Sequence, residues 1–195
     1  MPKRWRRREA LLSCLCGGSC ETELDTATQG KMIMSLDYRL QKLKPDGNLA
    51  FEVAAALDDH IEFHEGETVL RQTMLPATPG QRAVYSCYWY QYEVDNGGHR
   101  QFFENSTGIL WDQAISGFIL IGASEHVAIL KAAVLLFPNG QPSKDRAERR
   151  DQVKRIQNEE LEALDARLYN VAQEEDLDQI AADYINAHPE EFFLS

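Results

Sequence analysis

The sequence predicts an all-α fold, a compact multi-helix bundle, on three observations. Apolar residues recur at three- and four-residue spacing, strand-like alternation is nearly absent, and helix start and stop signals fall where the periodic segments end. A buried central helix pair and a disordered or loosely attached N-terminal tail complete the expected architecture. The 195 residues, 44% hydrophobic and 26% charged, suffice for one domain with a true core. The tail is assigned to residues 1–34 and the single helical domain to residues 35–195.

The tail begins with Lys3, Arg4, Arg6, Arg7 and Arg8 and continues into an apolar patch, Ala10 to Leu15, that Cys16-Gly17-Gly18 breaks. That patch falls short of the ~7–15 residues of an export signal, so a cytoplasmic protein with reduced thiols is expected. Cys14, Cys16 and Cys20 lack a fourth ligand and Cys87 stands alone, which predicts neither zinc nor a disulfide framework.

Within the domain, Asn48 has the residue type of a helix cap, and the helix it opens is expected to run to about His64. Phe51, Ala54, Ala55, Leu57 and Ile61 would face inward, and Gly66 would close it. Glu67 to Leu75 forms the next helix, halted by Pro76. Pro79-Gly80 opens an aromatic helix to about Asp95, with Val84, Tyr85, Tyr88, Trp89 and Tyr92 at helical spacing. Asn96-Gly97-Gly98 accept positive φ, so the helix stops and the chain reverses there. A short helix follows, with Phe102 or Phe103 in the core and Gly108 ending it.

Trp111 to Ile121 and Val127 to Phe137 are apolar nearly all round and form the expected central pair. Asp145 and Glu148 resemble a capping box that opens a long helix to about Ala172, with Leu161, Leu164, Leu168 and Val171 on its inner face. A last helix, about Leu177 to Ala187, turns Ile180, Ala181, Tyr184 and Ile185 inward before His188-Pro189 stops it.

Charge narrows the function. Lys and Arg number 20 against 31 Asp and Glu, a net charge of -11, the wrong sign for gripping phosphate backbones directly. Residues 45–70 and 168–195 each hold seven acidic residues and no Lys or Arg. They nominate Asp58, Asp59, Glu62, Glu65 and Glu67, with Glu174, Glu175, Asp176, Asp178 and Asp183, as an acidic partner-binding surface. Carboxylates at i, i+3 and i+4 of a helix stand about 5–6 Å apart, and duplex DNA carries one charge per roughly 1.7 Å, so a rigid acidic ridge suits a Lys and Arg array. Acidic faces also confer solubility, and the sequence leaves open whether the two blocks share a face.

No run approaches the ~18 apolar residues of a membrane span. His60 and His64 lie one helical turn apart but lack a third ligand, so no metal or cofactor is expected. The distinctive string comprises Glu93, Asn96, Gly97, Gly98, His99, Gln101, Phe102, Phe103, Asn105 and Gly108. One reading is structural, with His99, Gln101 and Asn105 satisfying carbonyls left open at the helix end. The other has Glu93, His99 and Gln101 line a small pocket, but the only nearby nucleophiles are Ser106 and Thr107, and no enzyme is predicted.

Asn96-Gly97-Gly98-His99-x-Gln101-Phe102-Phe103-x-Asn105-Ser106-x-Gly108 resembles the signature of the DNA-mimic protein nineteen family. Leu164-Asp165-Ala166-Arg167-Leu168-Tyr169, with Tyr184-Ile185-x-x-His188-Pro189-Glu190, is similar to its C-terminal stretch, and the resemblance covers roughly residues 35–195. It implies an all-α, homodimeric, cytoplasmic protein whose acidic surface imitates duplex DNA and blocks the DNA surface of a basic DNA-binding partner, a transcription regulator. The alternative is a helical protein- or ligand-recognition module that uses the Asn96–Asn105 turn, its acidic faces only solvating.

Overall fold

The computed structural model describes residues 37–40, 48–171 and 174–194, so the expectations for the tail and for Cys14, Cys16 and Cys20 lie outside the described residues. The elements are α1 (Leu49–Leu57), α2 (Glu67–Met74), α3 (Pro79–Glu104), a 3₁₀ turn (Ser106–Leu110), α4 (Trp111–Ile121) and α5 (Ser124–Leu135). A second 3₁₀ turn (Pro138–Gly140), α6 (Arg146–Val153), α7 (Asn158–Val171), α8 (Leu177–Ala187) and α9 (Pro189–Phe192) complete the order. The architecture is all-α; among the described residues the one extended pairing is an isolated bridge between Leu40 and Phe193.

Local chemistry sets the helix starts. The Asn48 side chain accepts the Phe51 amide, and Asp145 and Asp176 do the same for α6 and α8. Thr78 and Gln81 form a reciprocal capping box at α3, with Pro79 in its first turn.

The expected pair is present, α4 packed against α5 with side chains of both in the core, and beside it runs the central helix, α3. It packs against α1, α4, α6, α7 and α9, and its residues enter both apolar clusters. Val84 and Tyr85 join α1, α2, α8 and Phe192; Tyr90, Val94, Phe102 and Phe103 join α4 to α7. Gly117 lets α4 come close, since a Cβ there would stand 2.9 Å from the Ala83 carbonyl oxygen. The helices α4 and α5 instead leave Ile119, Leu120 and Leu135 exposed.

Three helix boundaries also differ from expectation. The first helix ends at Leu57, and Ile61 and Phe63, both buried, alternate along an irregular stretch where the Glu62 amide donates to the Thr73 hydroxyl. Gly66, at φ 91°, begins α2 rather than closing α1. The buried stripe of α1 is Ala50, Val53, Ala54 and Leu57, which puts Phe51 and Ala55 outside. The expected long helix divides into α6 and α7 because Arg100 donates to the carbonyls of Val153 and Ile156 at the break. Asp145 caps α6, but Glu148 turns its carboxylate to the Ser143 hydroxyl, so the box is only half formed. No described helix is long and apolar enough to cross a membrane.

Candidate functional site

The distinctive string forms a sharp corner in α3. Residues twelve apart on a straight helix are separated by about 18 Å of rise, yet the rings of Tyr90 and Phe102 meet with centroids 5.1 Å apart. The chain therefore folds back on itself at Gly97-Gly98, as expected. Gly98 lies at φ 73°, ψ 179°, a region essentially restricted to glycine, and a Cβ there would collide with the Asp165 carboxylate.

Two polar clusters hold the corner. In the first, the buried Glu93 carboxylate accepts Gln101 Nε2 at 2.8 Å and Asn105 Nδ2 at 2.9 Å on Oε2, and the Thr107 hydroxyl at 2.8 Å on Oε1. In the second, Asp165 Oδ1 accepts the His99 amide at 2.8 Å and His99 Nδ1 at 2.5 Å. The ring Nδ1 carries the proton toward the carboxylate, so Nε2 accepts from the Tyr90 hydroxyl at 2.7 Å. Burial alone would raise the Asp165 pKa; the hydrogen bonds from the His99 ring and amide outweigh it and hold the carboxyl below its usual range. Burial pushes the Tyr90 phenol well up.

The expected role of these residues needs correction. Gln101 and Asn105 satisfy a buried carboxylate, and His99 satisfies Asp165 and Tyr90. The helix-end carbonyls go elsewhere: Asn96 Nδ2 donates to the Tyr92 carbonyl at 2.6 Å, and the fully buried Arg149 donates to those of Phe103 and Asn105, each at 2.8 Å. Burial, and then Arg146, lowers the Arg149 pKa to about 10. Phe102 and Phe103 are both fully buried, and Gly108 packs beneath the Arg149 side chain. With His99 inaccessible and Glu93 6% exposed, the corner turns these side chains away from solvent.

Sequence reasoning did not select Tyr90, Asp165, Thr107 or Arg149 for this site. Asp165 stood in the second resembling stretch, which was a usable signal. Arg149 lies in a run of charged residues, where nothing distinguishes a buried guanidinium from a solvated one.

The acidic residues divide by role. Glu67 pairs with Arg71 at 2.7 Å, Asp176 caps α8, and Asp183 accepts the Gln179 side-chain amide. Glu175 is structural: it accepts His126 Nδ1 at 2.5 Å and the amides of Glu125 and His126. Burial opposes its ionisation, but those bonds hold its pKa below the usual value. Because the chain leaves helical geometry after Leu57, Asp58, Glu62 and Glu65 do not form the single helical row expected of them. Asp59, Glu65, Glu174 and Asp178 are exposed.

The two acidic blocks nevertheless adjoin, since α1 packs against α8. Burial pushes up the Tyr88 phenol, and so do the neighbouring Tyr92 and the carboxylates of both Asp178 and Asp58. One residue from each block thus acts on the same hydroxyl. The described residues contain no group of three or more His, Cys, Asp or Glu placed to hold a metal; His60 stacks on Tyr38 and His64 meets the Ser106 hydroxyl.

A family model described as DMP19-like protein matches residues 76–188. The chain belongs to the DMP19-like protein family. The match spans the α3 corner, its Asp165 and Arg149 partners and α8, so the DMP19-like region includes the second acidic block up to Asp183 but not the first. No curated protein and no solved structure matches the chain.

Proposed function

We propose that this DMP19-like protein is a non-catalytic, acidic cytoplasmic module that occupies the DNA-binding surface of a basic partner, a transcription regulator, and blocks it. One observation carries the reading: α1 packs against α8, which brings together two acidic blocks that lie far apart in sequence. Carboxylates gathered on packed helices present a fixed negative potential, and a protein surface built to release counterions from DNA meets that potential with the same Lys and Arg side chains. Membership of a family of DNA-mimic type supports the reading. A homodimer, implied by the resemblance, belongs to it, and light scattering of the purified chain measures that state.

The test is competition. With the partner captured from the native cytoplasm, rising salt elutes it steeply, duplex DNA displaces it, and Asp58→Asn with Asp178→Asn weakens capture. A complex that persists unchanged in high salt, or that binds DNA as a third component, refutes the proposal.

A further inference from the structure

A second feature lies beside the acidic strip. A cavity of about 250 Å³ opens between α1, α3, α5 and α8, lined among others by Tyr88, Gln91, Tyr92, Asp95, His126 and Asp178. Its described lining contains no Lys or Arg. The size falls just under the ~300–1,000 Å³ of sites for drug-sized molecules and suits a group the size of one side chain.

Two residues of this lining each carry a buried polar atom with no partner among the described residues, His126 at Nε2 and Gln91 at Oε1. His126 is 1% exposed. Its Nδ1 lies 2.5 Å from Glu175 Oε1, and in the tautomer that places the proton on that nitrogen Nε2 is an acceptor. Gln91 directs its amide nitrogen to Asp95 Oδ1 at 2.8 Å, so its oxygen is also an acceptor. Burying such atoms without a hydrogen bond is unfavourable, which marks a place that a donor completes.

Carboxylates dominate the charge. Partial burial and then the negative charge of Asp178 raise Asp95, against the hydrogen bond from Gln91 and the charge of the His126 ring. Tyr88 and Tyr92 add near-parallel rings with centroids 6.1 Å apart. Acceptors, carboxylates and aromatic faces around a small volume call for a flat cation with several N–H donors. A guanidinium has that shape, carries five donors, stacks on aromatic rings and sheds water more readily than an ammonium.

We propose that this cavity is a guanidinium-binding site, in which Gln91, Asp95 and His126 accept the N–H groups, Asp178 supplies charge and the Tyr88–Tyr92 pair supplies a stacking face. The site does not depend on the proposed blocking of a DNA-binding protein, because a guanidinium arrives equally on a protein arginine or on a free small molecule.

The experiment titrates the isotopically labelled full chain with Nα-acetyl-arginine amide and follows the Gln91 side-chain amide, the Asp95 backbone amide and the His126 ring nitrogens by NMR. Saturable shifts at all three are expected in the millimolar range, with binding at least about fivefold weaker for Nα-acetyl-lysine amide. Asp178→Asn, an exposed change, and Asp95→Asn each weaken binding by about tenfold or more while the spectrum stays dispersed. Should Asp95→Asn unfold the chain, Asp178→Asn alone decides. Agmatine as the tighter ligand identifies a free small molecule as the source, and the arginine amide as the tighter one identifies a protein side chain. The proposal is overturned if no shift saturates up to about 50 mM, if lysine and arginine amides bind equally, or if Asp178→Asn binds like the parent.

Discussion

Replacing Glu93 probes what holds the α3 corner. Glu93→Ala removes a buried carboxylate that accepts three hydrogen bonds and leaves a void where the side chain stood. Hydrogen bonds to a charged group contribute about 1.5–3 kcal/mol each. Gln101 and Asn105 are only half-buried and can turn to water, so their share falls at the low end, whereas Thr107 is buried. The loss comes to about 3–5 kcal/mol. Glu93→Gln keeps the volume; its amide oxygen can accept from Gln101 and Asn105, and the Thr107 hydroxyl can rotate to accept from the new NH₂. Only the charge assistance goes, about 1–2 kcal/mol. Urea unfolding followed by helical circular dichroism reads both, and at slopes of about 2–3 kcal/mol/M the alanine variant shifts the midpoint by roughly 1–2 M. An alanine variant within about 1 kcal/mol of the parent, or a glutamine variant less stable than alanine, refutes the assignment of Glu93 as the centre of this cluster.

Gly98→Ala combines a strained backbone with a clash against Asp165 and is expected to cost about 3–5 kcal/mol; normal stability in a thermal melt contradicts the geometry. Asp165 and Glu175 titrate below their ordinary values in the fold, so each stabilises the protein above its unfolded pKa and loses that contribution as pH falls through its folded value. Urea midpoints should therefore fall from about pH 5 to pH 3, and less so in Asp165→Asn than in the parent; equal slopes sink the idea. Arg149→Lys keeps the charge but cannot span the carbonyls of Phe103, Asn105 and Ser143, at an expected cost of about 2–4 kcal/mol by denaturant titration, and an unchanged midpoint counts against the buried fork.

Most elements were legible in the sequence where a cap and a periodic stripe coincided. The stripe Ile180, Ala181, Tyr184, Ile185 predicted α8, and Pro79-Gly80 stood at the start of α3. The boundaries that failed depended on distant groups. Nothing near Val153 reveals that Arg100 will take its carbonyl and end α6, and nothing near Leu57 reveals that Thr73 will draw out the Glu62 amide. The apolar character of α4 and α5 was visible, but a helix apolar all round does not disclose which of its faces stays bare; Ile119 and Leu135 do. At the corner, residue types alone identified Gly97-Gly98 and the surrounding polar side chains. Their partners required tertiary structure, because Asp165 lies 66 residues from His99.

The corner and the acidic strip are linked through α3. Tyr88, whose phenol is pushed up by burial and by charge from both acidic blocks, and Glu93, where Gln101, Asn105 and Thr107 converge, lie five residues apart on one arm of that helix. Packing the helices that carry the two acidic blocks against each other brings like charges near, which opposes folding because water and salt screen neighbouring charges only in part. That repulsion must be offset by interactions that do not neutralise the surface, or the negative potential would be lost with the strain. The Glu93 and His99–Asp165 clusters have this property. Their bonds are internal to the bundle and add no cation to the strip, and they hold α3 against its own returning segment and against α7. The Glu93 cluster draws on no group that touches Asp178, which is why substitutions at Glu93 and Asp178 should separate. The first should lower stability. The second should preserve or raise it and weaken only the capture of cationic groups.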